Sequence, residues 1–215
     1  MKTPFIRNHQ FNTIKNQAEF LQKTLRSVAD QRVLETVRFT AAANIVEAFP
    51  YLTADQRQML EQISTFETAY DFQSYLNALE PYLDPFPPIT LKQIQKLFPK
   101  HKKLKVPDLQ SIDFRFLTYL SCVDIAANKL FIVYPMDGKF VGIEGRITPT
   151  HKKGYCLFCN RHHELAFFTV RTKPAIASPD NIAAIGHYVC MDNQECNQSI
   201  TDTTALEKFI NTVRK

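Results

Sequence analysis

The chain of 215 residues lacks several features that membrane proteins, secreted proteins and nucleotide-binding enzymes need. No apolar run approaches the eighteen or more residues of a membrane span, and residues 1–5 lack the apolar stretch of a secretory signal. Only five glycines are present, and no G-x-x-x-x-G-K-[ST] loop is available to hold nucleotide phosphates. We therefore expect a cytoplasmic protein without membrane contact.

Positive charge is concentrated in the second part of the chain. Residues 1–84 carry 8 basic and 10 acidic side chains, whereas residues 85–215 carry 18 basic and 11 acidic ones. The densest basic run consists of Lys100, Lys102, Lys103 and Lys105. This run fits contact with RNA phosphates or with an acidic protein face, and it fits equally a solvated helix end, where cations favour the negative end of the helix dipole.

Apolar residues recur at spacings of three and four over residues 11–28 and 32–49, which predicts two amphipathic helices. The apolar stripe of the second helix is the set Val33, Val37, Ala41, Ile45 and Val46. Thr53 and Gln56 predict a capping box that opens a short third helix, and a fourth follows over residues 66–79.

Short helices joined by brief turns bury their apolar stripes only against one another, so residues 1–83 predict a helical bundle domain. Three prolines between residues 85 and 88 then end the helical pattern, and we place the domain boundary there, with residues 84–215 as the second domain. Beyond it, Thr90 is suited to cap a helix that ends at Phe98.

Between residues 112 and 147 the pattern changes from helix to strand. A first run contains Phe114, Phe116, Tyr119 and Leu120. Residues 130–134 and 140–143 form two further runs around a turn at residues 135–138, where an Asp-Gly pair tolerates positive φ. These runs predict an antiparallel hairpin or meander, in which Cys122 is interpreted as a small core residue and not as a metal ligand.

Four further cysteines form two pairs. Cys156 and Cys159 have the Cys-x-x-Cys spacing of a zinc knuckle, while Cys190 and Cys196 are separated by a longer loop of five residues. The pattern predicts one structural zinc; a redox motif or disulfides are the rival interpretations, but neither a secretory leader nor a thioredoxin-like strand and helix accompanies the cysteines. His187 is the other available donor.

A knuckle, strands at residues 165–170 and 187–190, and a closing helix at residues 202–213 follow the order of a treble clef. Whether Cys196 lies on a helix or in a loop stays open. The predicted fold class is thus α+β, with an amino-terminal helical bundle and a carboxyl-terminal α/β domain that contains antiparallel strands and a treble-clef-like four-cysteine zinc finger.

No catalytic constellation is predicted. His162 and Glu164 fit the His-x-Glu motif of zinc deaminases, but in those enzymes the Cys-x-x-Cys pair follows the motif, and here it precedes it. A zinc bound by four cysteines also leaves no position for an activated water. Residues 162–164 are interpreted as a polar turn, and the chain is not expected to be an enzyme.

Several stretches that together span nearly the whole chain resemble FusB-type fusidic acid resistance proteins. The resemblance lies in residues 153–160, in residues 188–190 with the five-residue loop to Cys196, and in residues 1–3, 97–107, 126–134 and 196–202. It implies a non-enzymatic protein that binds elongation factor G and promotes its release from ribosomes stalled by fusidic acid.

The resemblance also implies where the partner binds. The family's partner-binding aromatic residues fall on Tyr155, Tyr188 and Phe209, and Ile185 stands where the family has a basic residue. The alternative function is an RNA- or ribosome-binding zinc protein that uses the basic run. We expect a monomer.

Overall fold

A computed structural model of the chain describes residues 3–101, 104–172 and 183–214. The chain divides into two compact units, Met1–Asp84 and Pro85–Lys215. No helix in these described ranges combines the length and the apolar character needed to cross a bilayer. Lys102 and Lys103 of the predicted basic run lie outside the described residues.

The first unit is built from helices whose starts are fixed by local side chains. Its helices are α1 (Asn8–Ser27), α2 (Gln31–Glu47), α3 (Ala54–Glu61) and α4 (Ala69–Leu79), with short 3₁₀ turns at Gln62–Thr65 and Glu80–Tyr82. The predicted capping box is confirmed, because the Thr53 side chain accepts from the Gln56 N–H while the Gln56 side chain accepts from the Thr53 N–H. Helices are therefore present where the periodicity predicts them.

The buried face of α2 differs from the predicted stripe. Val33 is 43 % exposed, whereas Leu34, Ala41, Ala42 and Ile45 are buried. Asp30 caps the helix by accepting from the N–H groups of the next turn, and the face that then meets the core is rotated by about one residue at the helix start. The predicted stripe was wrong at Val33, because the polar residues around it did not determine whether Val33 or Leu34 faces the core.

The second unit is an antiparallel meander with helices on both faces. Its elements are α5 (Leu91–Leu97), β1 (Leu120–Asp124), β2 (Lys129–Met136), β3 (Lys139–Tyr155), β4 (His162–Thr172), β5 (Ala183–Cys190), α6 (Asn193–Ser199) and α7 (Thr204–Val213). The strands lie in the order β1-β2-β3-β4-β5. The predicted cap of α5 is confirmed, since Thr90 accepts from the Gln93 N–H. The predicted turn between β2 and β3 is confirmed at Asp137 and Gly138, which both have positive φ, whereas Pro135 and Met136 belong to β2.

The first predicted strand of this unit begins later than expected. Phe114–Phe116 is a 3₁₀ turn, and β1 starts only at Leu120. The Asp113 side chain accepts from the Arg115 N–H and also binds the Arg115 guanidinium, which stabilises the turn over an extended conformation. The aromatic residues that suggest a strand here pack as a loop against the sheet.

The sheet has two faces with separate cores. On the first face, α5 and the loops around it cover β1, β2 and part of β3, with Phe98 and Phe131 in edge-to-face contact. On the second face, α7 covers the middle of the sheet, with Phe209 against Phe168. Cys122 belongs to the first core, is 3 % exposed, and is no part of the cysteine cluster described below.

Candidate metal centre and adjoining surface

Four buried cysteines meet at the end of the sheet. The sulfurs of Cys156, Cys159, Cys190 and Cys196 all lie within 4.8 Å of one another. The Sγ atoms of Cys156 and Cys196 are 3.9 Å apart, and those of Cys159 and Cys190 are 3.6 Å apart. A tetrahedral zinc with Zn–S bonds of about 2.3 Å requires sulfurs about 3.8 Å apart, so the four thiols fit the ion.

The first two ligands lie in a knuckle between β3 and β4. The Asn160 N–H donates to the Cys156 carbonyl, and the Cys156 N–H donates to the Arg161 carbonyl, which closes the turn. Asn160 has φ of 51°, a left-handed conformation that asparagine tolerates better than most residues. The knuckle therefore points both sulfurs to the same place.

The wide spacing of the second pair has a helical explanation. Cys190 is the last residue of β5, and Cys196 lies on α6, which settles the question left open by the sequence. Asp192 caps α6 by accepting from the Gln194 and Glu195 N–H groups at 2.7 and 3.3 Å. The five intervening residues hold this cap and the first part of the helix, which brings Cys196 back to the knuckle.

The surroundings of Cys156 favour a thiolate. The N–H groups of Phe158 and Cys190 each donate to the Cys156 sulfur at 3.3 Å. Hydrogen bonds from the Cys159, Cys190 and Cys196 thiols lower the pKa of Cys156 well below its ordinary value. Because zinc binds thiolates, a group with donors already aimed at its sulfur is suited to ligation.

Helix α6 is anchored from both sides. The buried Asn197 accepts from the Thr118 and Tyr119 N–H groups at 2.7 and 3.1 Å and donates to the Tyr119 carbonyl. On the other side, His163 contacts the Glu195 carboxylate at 2.9 Å and Ser199 at 3.2 Å. Residues 162–164 are therefore the start of β4 and not a polar turn, and His163 links that strand to the zinc-bearing helix.

Tyr188 is exposed, and a second ring lies beside it. It is 53 % exposed, and its partner in the register of β4 and β5 is Phe167, which is 37 % exposed. The two ring centroids are 5.2 Å apart. The Tyr188 carbonyl accepts from the Leu157 N–H at 2.9 Å, so the zinc knuckle fixes the backbone of Tyr188 directly.

The other predicted partner-binding residues differ in exposure. Tyr155 is 69 % exposed and lies at the end of β3, where it pairs with His162 in β4. Phe209 is only 4 % exposed, between Phe158, Phe168 and His187. Ile185 is half-buried against the same core.

The described part of the basic run borders the first face of the sheet. Lys100 and Lys105 are exposed. His101, between them, has its Nε2 atom 2.8 Å from Glu144, and Lys129 lies 3.3 Å from the same carboxylate. The basic run is therefore attached to the sheet through the contact between His101 and Glu144, in addition to following the end of α5.

Sequence reasoning missed Phe167 and α6. Phe167 lies in a run of apolar residues, where only the register with β5 reveals that it faces solvent. The sequence does contain a signal for α6, since Asp192, two residues before Gln194, is a typical helix cap. The wide spacing of the two cysteines suggested a loop at the same place.

A helical unit followed by a meander sheet, a cysteine knuckle and a ligand-bearing helix defines a treble-clef zinc-finger protein with one zinc site. Family models match both parts: "Elongation factor G-binding protein, N-terminal" over residues 5–87 and "FBP C-terminal treble-clef zinc-finger" over residues 95–212. The solved structure of the fusidic acid resistance protein FusC is 30 % identical, with a TM-score of 0.81 over 97 % of each chain. No curated protein gives a sequence match.

The chain belongs to the elongation factor G-binding protein family. This membership confirms the predicted fold class and the zinc finger, and it agrees with the expectation of a binding protein and not an enzyme.

Proposed function

We propose that this chain protects translation from fusidic acid by binding elongation factor G and promoting its release from stalled ribosomes. The observation that carries the proposal is the match to FusC over 97 % of each chain, together with family models for both parts. A cytoplasmic location follows from such a partner.

Release requires more than binding. A ligand shifts an equilibrium only by its differential affinity for the two states, so a net shift toward the released factor requires the chain to bind it more tightly than the ribosome-bound, drug-stalled one. No bond is made or broken in this step, and the zinc supplies structure only, since four thiolates leave it no open position.

Tyr188 is the strongest candidate contact. An exposed tyrosine whose backbone is held by the zinc knuckle presents a large ring with little entropy left to lose on binding. Tyr155 is a second exposed ring, at the end of β3 next to the zinc ligand Cys156. Phe209 supports this region from inside the core, and the half-buried Ile185 supplies an apolar contact beside it.

The test measures binding and release separately. Titration calorimetry of the parent chain with purified elongation factor G should give a one-to-one complex, with the chain monomeric by light scattering before mixing. Addition of the chain to fusidic acid-stalled ribosomes should then speed the loss of the factor from the pelleted ribosomes. No complex with the free factor would contradict the proposal.

RNA binding is the alternative, because of the exposed Lys100 and Lys105. Binding through phosphates falls steeply with salt, owing to counterion release. Tight binding of ribosomal RNA at low salt that disappears at high salt, without any complex with the factor, would favour this alternative.

A further inference from the structure

The first face of the sheet is covered unevenly. Over β1, β2 and part of β3 it packs under α5, where a Cβ at Gly142 would lie 2.8 Å from the Phe98 ring. Over β4 and β5 no element among the described residues covers the same face, and Phe167 and Tyr188 are both exposed. A shelf therefore lies beside α5, on the side of the sheet away from α7.

Two neighbouring rows of side chains form this shelf. Strand register gives the rows Thr148–Phe167–Tyr188 and Arg146–Thr169–Gly186. The second row makes room for the first: a Cβ at Gly186 would lie 2.5 Å from Cζ of Phe167. The missing side chain thus lets the Phe167 ring lie flat against β5 and beside Tyr188.

The shelf is bordered by positive charge. Arg146 and Arg171 are exposed on this face, and within residues 3–101, 104–172 and 183–214 neither has a carboxylate at ion-pair distance. Glu144, two residues before Arg146, is engaged by His101 and Lys129. Because His101 follows Lys100, the basic run begins at the edge of the same shelf.

We propose that this shelf, with Phe167 and Tyr188 at its centre and Arg146 at its border, docks an acidic, apolar-centred surface of elongation factor G. The inference rests on the proposed function and adds Phe167 and Arg146 to the contacts. Buried aromatic anchors surrounded by arginine are the usual composition of energetic centres in interfaces. RNA fits less well, since bases stack on open ring faces and Phe167 lies over Gly186 and against Tyr188.

The fold brings to this shelf two features that lie far apart in the sequence. The basic run and Tyr188 are more than 80 positions apart in sequence, yet both border one face of one sheet. Charges at the rim of such a surface mainly speed encounter, while rings at its centre slow dissociation. Loss of Arg146 should therefore change the association rate and its salt dependence, and loss of Phe167 the dissociation rate.

The experiment compares three variants with the parent chain in binding to purified elongation factor G. Phe167→Thr keeps a strand-forming residue and should weaken affinity about tenfold through faster dissociation. Gly186→Ala keeps both aromatic side chains but shifts the Phe167 ring, and should also weaken affinity. Arg146→Ser should slow association about threefold at low salt and have little effect at high salt. Phe20→Ala and Arg32→Ser, exposed changes in the helical unit, serve as controls and should leave binding unchanged.

The outcomes separate this inference from the proposed function. If the parent chain binds the factor and the folded Phe167→Thr and Gly186→Ala proteins match it within twofold, the shelf is not the docking surface although the function stands. If the parent chain does not bind the factor, both proposals fail. If these variants lose affinity for ribosomal RNA but not for the factor, the shelf binds nucleic acid and the inference is overturned.

Discussion

Each of the two units is stabilised internally, but by contacts that span very different distances along the chain. In the helical unit, helix starts are fixed by side chains three positions away, as at Thr53 and Gln56. In the zinc unit, the decisive contacts join residues far apart, with Cys156 and Cys196 separated by 40 positions and Thr118 and Asn197 by 79. The first unit therefore depends on many small local terms, and the second on a few contacts whose loss is severe.

The two units also differ in net charge. The first unit carries a small excess of acidic side chains and the second a clear excess of basic ones. We therefore expect an acidic partner to be attracted to the zinc unit, where the cysteine knuckle holds the backbone of the exposed Tyr188. If the partner binds at Tyr188, changes that destabilise the second unit should also weaken binding.

Loss of one zinc ligand is the largest effect we expect. Cys190→Ser should abolish stoichiometric zinc binding and unfold the zinc unit, because structural zinc contributes on the order of 10 kcal/mol to folding. The helical unit should keep its own thermal transition. Metal analysis and calorimetric unfolding check this, with Cys122→Ser as the matched control for zinc content, since Cys122 lies outside the cysteine cluster. A Cys190→Ser protein with one full equivalent of zinc and an unchanged transition would contradict the ligand assignment.

Removal of the Asn197 anchor comes next. Asn197→Ala takes away the acceptor for two buried N–H groups and should destabilise the zinc unit by about 3 kcal/mol, while zinc content stays at one. Chemical denaturation measures the change. Asn211→Ala, an exposed asparagine on α7, is the control and should be nearly neutral. Equal stability of the two variants would show that α6 does not depend on this anchor.

A matched change in the helical unit should have a smaller effect. The buried Tyr75 hydroxyl donates to the Leu60 carbonyl at 2.9 Å, so Tyr75→Phe should cost about 1 kcal/mol in the helical transition alone. Tyr70→Phe, at a ring that is 79 % exposed, is the control. A shift of the zinc unit's transition by Tyr75→Phe would refute the independence of the two units.

The basic run should have the smallest effect. Lys100→Ser with Lys105→Ser should slow association with the factor about twofold at low salt, since exposed lysines steer encounter and are screened within a Debye length of about 8 Å at physiological salt. Stopped-flow kinetics at two salt concentrations measure it. Complete loss of factor binding together with RNA binding would move the function to the alternative.

The helices were predictable from the sequence because their signals are local. Stripes at spacings of three and four and caps such as Thr53 and Thr90 need no tertiary information, and the errors are small shifts, as at Val33. The turn at Asp137 and Gly138 was predictable for the same reason, since only particular residues accept positive φ.

The surface beside the zinc was only partly predictable. The cysteine spacing is sufficient to predict the metal, but which rings share a face depends on strand register. Register places the exposed Phe167 beside Tyr188, which the linear pattern does not show. The burial of Phe209, by contrast, was predictable, because Phe209 follows the periodicity of a core residue on α7.

The most direct test of elongation factor G binding through the zinc unit is titration calorimetry with the Tyr188→Ala protein. Zinc content and thermal unfolding should match the parent chain, while affinity should fall about thirtyfold, or about 2 kcal/mol, as loss of an interface anchor does. Tyr51→Ala, at a ring 91 % exposed in the helical unit, should bind like the parent. An affinity of the folded Tyr188→Ala protein within twofold of the parent would place the binding surface elsewhere.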